Sequence, residues 1–142
     1  MTVIVERRPM GASHPLHAMF LAGAPSLFLG ALLSDIAYAR TYEIQWNNFA
    51  SWLIAGGLVV AAVALVCAVA GVLNPRARTG AAVAYPLLLA VAWLVQLFNA
   101  LMHARDAWAG MPGGLVLSAI GTVLAVAAAW LGFHAARQGA RT

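Results

Sequence analysis

The side chains of this sequence that could do chemistry in an apolar setting are His14, His17, Asp35, Gln96, Asn99, His103 and His134. Their spacing is regular. Placed on a helix, His14, His17, Leu21, Ala24, Phe28, Ala31, Asp35 and Tyr38 recur at steps of three and four, so they share one stripe. At the rise of an α-helix, His17 and Asp35 would lie roughly 27 Å apart. That is close to the thickness of a bilayer's hydrocarbon core. A second stripe runs through Tyr85, Leu89, Ala92, Gln96, Asn99 and His103. A glutamine, an asparagine and a histidine facing lipid would be costly, so this stripe is expected to face other helices.

Two chemistries are open to these residues. His17 and His134, with His14 one turn away, would lie at one membrane surface and could ligate a b-type haem or a metal. Imidazole is the commonest nitrogen ligand, and a bis-histidine haem needs two histidines facing each other at equal depth. The competing reading makes them interfacial histidines at helix ends. The pattern of a two-haem cytochrome, with two histidines about four turns apart on one helix, is not present. At the other surface, Asp35 and His103, extended inward by Gln96 and Asn99, form a polar layer. It could handle protons or polarise a quinone, since an intramembrane carboxylate is a functional candidate by default. Its competing reading is a lock, in which Asp35 neutralises Arg105 or accepts a hydrogen bond from His103.

The elements that must position these residues are transmembrane. Of 142 residues, 63% are hydrophobic and only 8% charged, with mean hydropathy +0.87. Soluble domains carry about 25% charged residues. The expected fold is all-α: a polytopic membrane protein, a four-transmembrane-helix bundle forming one domain. Its helices are expected at about 14–38, 48–73, 80–105 and 112–137. Pro25 predicts a kink in the first helix. Ser118, Gly121, Ala125, Ala128, Gly132 and Ala135 give the last helix a small-residue seam, the kind that lets membrane helices approach closely. The first apolar run is long for a secretory signal, which argues against cleavage after Ala39.

Several functions are excluded. The net charge is +4 and every basic residue is arginine, but no basic run exceeds Arg7-Arg8, so nucleic acid is not an expected partner. Cys67 is the only cysteine, which rules out an internal disulfide. There is no Gly-rich phosphate loop, Cys-x-x-Cys pair or nucleophile elbow. A small transporter stays the least supported reading, since there is no inverted repeat and only the Asp35–His103 layer would offer a pathway. Catalytic activity of its own is therefore not expected.

The residues His14-Pro15-Leu16-His17, the run Phe28 to Asp35, and Gly114-Leu115, Leu117-Ser118 and Trp130-Leu131-Gly132 resemble the membrane-protein family called domain of unknown function 2231. The resemblance spans nearly the whole chain, and its most specific part is the His-Pro-Leu-His opening. It implies four membrane helices. Some members are joined to Rieske-type or quinoprotein dehydrogenase modules, which implies electron transfer with a redox partner. The chain departs from the family pattern at Ala18, which replaces a proline, and at Gly23-Ala24-Pro25, where a further histidine is usual. Phe133 stands where a second glycine is usual.

Arginine distribution sets the expected orientation. Four crossings put Arg7, Arg8, Arg76, Arg78, Arg137 and Arg141 on one side and Arg40 and Arg105 on the other. The positive-inside rule then places both termini in the cytoplasm, in a bacterial inner membrane. Reporter fusions at Arg76 and Ala107 are expected to give opposite signals, cytoplasmic for the first only. Equal cytoplasmic signal from both would overturn the arrangement.

Overall fold

The computed structural model describes residues 15–73 and 80–139. Its helices are α1 (Pro15–Thr41), α2 (Ile44–Val72), α3 (Gly80–His103), a single turn α4 (Ala107–Gly110) and α5 (Gly113–Gly139). Four of them are long and apolar enough to cross a membrane. In space they form a ring in the order α1, α2, α3, α5, each packed on its two neighbours. The expected helices are therefore present, with shifted ends.

The largest shift lies between α1 and α2. Sequence reading expects a loop over residues 39–47, but only Tyr42 and Glu43 are non-helical. Tyr42 adopts φ 57°, in the left-handed region, and its N–H donates to the Tyr38 carbonyl at 2.8 Å. This is the hydrogen bond of a left-handed helix cap, which ends one helix within a residue. The Tyr42 ring stacks on Trp108 of α4, with centroids 5.7 Å apart and planes at 16°. A bulky residue in a strained conformation is thus held by an aromatic partner from the opposite connection. We call this end of the bundle the hairpin end, and the end with Pro15 and Gly139 the terminal end.

The stripes read from spacing are the buried faces. His17, Leu21, Ala24, Phe28, Ala31, Asp35 and Tyr38 are all buried on α1. Tyr85, Leu89, Ala92, Gln96, Asn99 and His103 are all buried on α3. On α5 Ser118, Gly121, Ala125, Ala128 and Gly132 are buried, while Ala135 is half-buried. The fourth face has the same period: Ala50, Ile54, Gly57, Ala61, Ala64 and Ala68 on α2. Alternating steps of four and three keep one seam facing inward along each helix.

What distinguishes inside from outside is size and polarity rather than hydrophobicity. The interior carries alanine, glycine and small polar groups, with Phe28, Leu21, Ile54 and Leu89 as its large members. Outward stand Leu33, Trp52, Val59, Val66, Leu94, Val123 and Trp130. Lipid is as apolar as these side chains, so helix association rests on close packing and buried hydrogen bonds. Two apolar layers fill the terminal and middle parts: Leu21, Ala64, Leu89 and Ala128, then Ala24, Phe28, Ala61, Ala92 and Ala125. The Trp93 indole N–H donates 3.0 Å to the Leu58 carbonyl and ties α3 to α2.

Gly57 shows how close this packing is. A Cβ there would lie 2.4 Å from Phe28 Cε1, whereas at Gly56 the nearest atom is Leu27 Cδ1 at 4.0 Å. Gly57→Ala is expected to destabilise the bundle by about 1–3 kcal/mol through overpacking. Gly56→Ala should be neutral or slightly stabilising, by up to about 1 kcal/mol. Reversible unfolding in mixed micelles measures both, and equal effects would contradict the packing described.

Candidate functional site

The polar residues of three helices meet at the bundle axis near the hairpin end. Asp35 comes from α1, fully buried and one step past the apolar layers on its stripe. Across the ring from it, the last turn of α3 presents His103, and α5 places Ser118 between them. His103 Nε2 lies 2.8 Å from Asp35 Oδ1. The Ser118 hydroxyl donates to Asp35 Oδ2 at 2.5 Å. Asn99 Nδ2 donates to both Ser118 Oγ, at 2.8 Å, and Gln96 Oε1, at 2.9 Å. Thr122, one turn below Ser118, bridges α5 to α1 through the Phe28 carbonyl at 3.1 Å.

Hydrogen-bond chemistry fixes the protons of this cluster. His103 Nδ1 lies 3.0 Å from the Asn99 carbonyl oxygen. A carbonyl can only accept, so Nδ1 must carry a hydrogen. The Nε2–Oδ1 contact then holds one proton for two groups. Either an imidazolium faces a carboxylate, or a carboxylic acid donates to a neutral imidazole. Both forms have zero net charge, which keeps the pair compatible with burial. At the inner end of the cluster, Gln96 Nε2 and Asn99 Oδ1 are buried without a hydrogen-bond partner.

The space for these side chains comes from glycines of α5. A Cβ on Gly114 would lie 2.9 Å from His103 Cε1, and one on Gly121 would lie 2.6 Å from Gln96 Cδ. The small-residue seam of α5 therefore does two things. Its glycines admit the α3 polar stripe, and its hydroxyls, Ser118 and Thr122, bond across to α1.

Sequence reading places Asp35, Gln96, Asn99 and His103 in one layer, and these four are brought together. Of the two partners weighed for Asp35, the geometry gives His103. Arg105 is exposed, its guanidinium 3.9 Å from Met102 Sδ. Ser118 was readable only as a small residue of the seam. The signal that identifies it is a hydroxyl on the inward stripe at the depth of Asp35. Thr122 carries the same signal one turn away.

The histidines of the terminal end are placed differently from one another. His17 is buried, its ring 6.3 Å from that of Tyr85. His134 is exposed, and its Nε2 accepts from Gln138 Nε2 at 3.0 Å. A facing pair of buried imidazoles, which a bis-histidine haem requires, is not what these two positions present. His14 lies outside the described residues. Among the described residues no group of three or more His, Cys, Asp or Glu side chains is gathered for a metal.

Fold and site together define a helical membrane protein with a buried acid–imidazole pair. The family described as predicted membrane protein (DUF2231) matches residues 13–140, and the chain belongs to it. No curated protein and no solved structure matches the chain.

Removing Asp35 leaves His103 Nε2 and the Ser118 hydroxyl hydrogen buried without their partner. Asp35→Ala is expected to cost about 3–5 kcal/mol in bundle stability. Adding His103→Leu to that variant should recover a large part of the loss, because an apolar pair needs no compensation. A double-mutant cycle in mixed micelles checks this, and purely additive losses would show that the two residues do not act as a pair.

Proposed function

We propose that this chain holds and exchanges a proton at the Asp35–His103 pair, as a small membrane anchor or electron-transfer subunit in a bacterial inner membrane with both termini in the cytoplasm. The observation that carries the reading is the single proton shared between Oδ1 and Nε2, connected through Ser118 to a chain of rotatable groups. In the neutral pair Ser118 donates to Asp35 and Asn99 donates to Ser118. A further proton on Oδ2 reverses this direction. Asp35 then donates to Ser118, Ser118 donates to Asn99 Oδ1, and the Asn99 and Gln96 amides turn over. The amide atoms left unpartnered in the first state, Gln96 Nε2 and Asn99 Oδ1, are those bonded to each other in the second. The cluster thus has two self-consistent hydrogen-bond directions that differ by one proton.

The route for that proton is one-sided. His103 borders an outward-facing cavity at the hairpin end. Towards the terminal end, Leu21, Leu89, Phe28 and the surrounding alanines supply no polar group to carry a proton onward. A proton bound here exchanges with one surface only, which suits accompaniment of chemistry in a partner protein better than passage across the membrane. A redox partner is the kind that the family resemblance implies. A b-type haem held by His17 and His134, with His14 beside them, gains no support from the exposed His134. A static lock of α1 to α3, with no cofactor, is the second reading, favoured by the completeness of the Asp35 bonds.

Infrared difference spectra of the purified protein between neutral and acid pH separate the two. The proton reading expects a protonated-carboxyl band that grows on acidification and is missing in Asp35→Asn, a variant able to keep both hydrogen bonds. A spectrum that does not change with pH leaves only the lock. An absorbance spectrum of the same sample tests the haem, and a Soret band lost in His17→Ala would restore it.

A further inference from the structure

The cavity at the hairpin end has a character of its own, apart from the proton it borders. It measures about 350 Å³ and opens outward between the start of α2 and the link from α3 to α4. Small-molecule sites run from about 300 to 1,000 Å³. Its polar lining is Gln45, Asn47, Asn48, Ser51, His103 and Arg105. The amides carry donors and acceptors alike, and Arg105 donates only. The three amides each bring two N–H bonds, and Arg105 brings a guanidinium with a planar fork. Ser51 already donates to the Asn47 carbonyl, at 2.9 Å, which leaves its oxygen to accept.

Charge selects among possible ligands. Among the described residues the only ion pair is that of His103 with Asp35, so Arg105 is not engaged by a carboxylate. Glu43 and Asp106, the acids nearest in sequence, do not line the cavity. The site therefore has one positive group, amides that can turn their N–H bonds inward, and no acid in its lining. Such a set matches an oxyanion, whose oxygens accept several donors at once. Ile44, Ala107 and the carbon stems of the polar side chains supply the floor, so a ligand would rest on carbon while the polar tips select its charged end.

We infer that this cavity binds a small oxyanion, a carboxylate or a phosphate, with Arg105 as its charge partner and the amides of Asn47 and Asn48 orienting it. The phosphate could belong to a free solute or to the headgroup of an anionic lipid, because the mouth lies at the level where α2 and α3 would meet the membrane surface. The inference does not require the Asp35–His103 proton to move, and it survives if that pair is a static lock.

The test is a titration of the full chain in maltoside micelles, which contain no phosphate, followed by the side-chain NMR signal of Arg105 and the amide signals of Asn47 and Asn48. The probes are inorganic phosphate, acetate and a short-chain phosphatidylglycerol. A saturable shift with phosphate or acetate assigns a free solute. Saturation with the phosphatidylglycerol alone assigns a lipid headgroup. Arg105→Gln should weaken binding at least tenfold and Asn48→Ala several-fold, while Arg137→Gln, at the terminal end, and Asp35→Asn leave it unchanged. Asp35→Asn removes the proton site and reaches this one only through His103, leaving Arg105, Asn47 and Asn48 in place, so the two readings fail separately. Failure of all three probes to saturate overturns the inference, as does binding that Arg105→Gln leaves intact.

Discussion

A carboxyl group inside lipid must be neutralised by a partner or it will not stay there, and Asp35 is the point from which this bundle is arranged. Stripping water from an ion costs several kcal/mol even after relaxation. Two partners on two other helices answer that demand: His103 at 2.8 Å and the Ser118 hydroxyl. Because α1 and α3 stand at opposite corners of the ring, the pair can form only if all four helices converge on the axis. That requirement explains the glycines at positions 114 and 121, where any Cβ would push the α3 polar side chains away from α1. One carboxylate thus constrains residue size on a helix that touches it only through a serine.

The rest of the packing follows from a solvent that cannot drive apolar surfaces together. In water, large aliphatic side chains would go inside and small polar ones outside. Here Ala50, Gly57, Ala61, Ala64 and Ala68 line the inner face of α2, and Trp52, Val59 and Val66 point away. Small residues bring the backbones close enough for dispersion to act along the whole seam. Carbonyls of the backbone also become useful acceptors at that distance. The Phe28 carbonyl receives Thr122 and the Leu58 carbonyl receives Trp93, and each bond crosses from one helix to its neighbour.

Much of this was legible in the order of residues. Every described member of the two stripes on α1 and α3 is buried, because a period of three and four has only one geometrical meaning on a helix. The polar layer was legible because Gln96, Asn99 and His103 share the stripe of Leu89 and occur at the depth of Asp35. The α2 seam was equally present but harder to see. Alanine and glycine are scattered over its whole surface, and only the large residues mark the outer face. The helix ends near Tyr42 were not legible, since a tyrosine in a left-handed cap obeys no local preference and depends on the Trp108 ring from a distant segment. The choice of His103 over Arg105 for Asp35 was open for a similar reason. Both lie near the end of α3, but the helix stops at His103, which it turns inward, and Arg105 follows in the bend beyond it, exposed. Whether the terminal histidines face one another was not legible, because equal depth says nothing about azimuth, and His134 occupies an outward position on α5.

The placement of Asp35 between an open end and an apolar plug has an electrical consequence. A unit charge carried across the full membrane works against about 2.3 kcal/mol for each 100 mV of potential. On the proposed proton role, a proton reaching Asp35 from the hairpin end would cross only the outer part of that drop, with the apolar layers of Leu21, Leu89 and Phe28 beyond it. In that role the acid would therefore be nearly blind to voltage, and the energised state of the membrane would bear little on it.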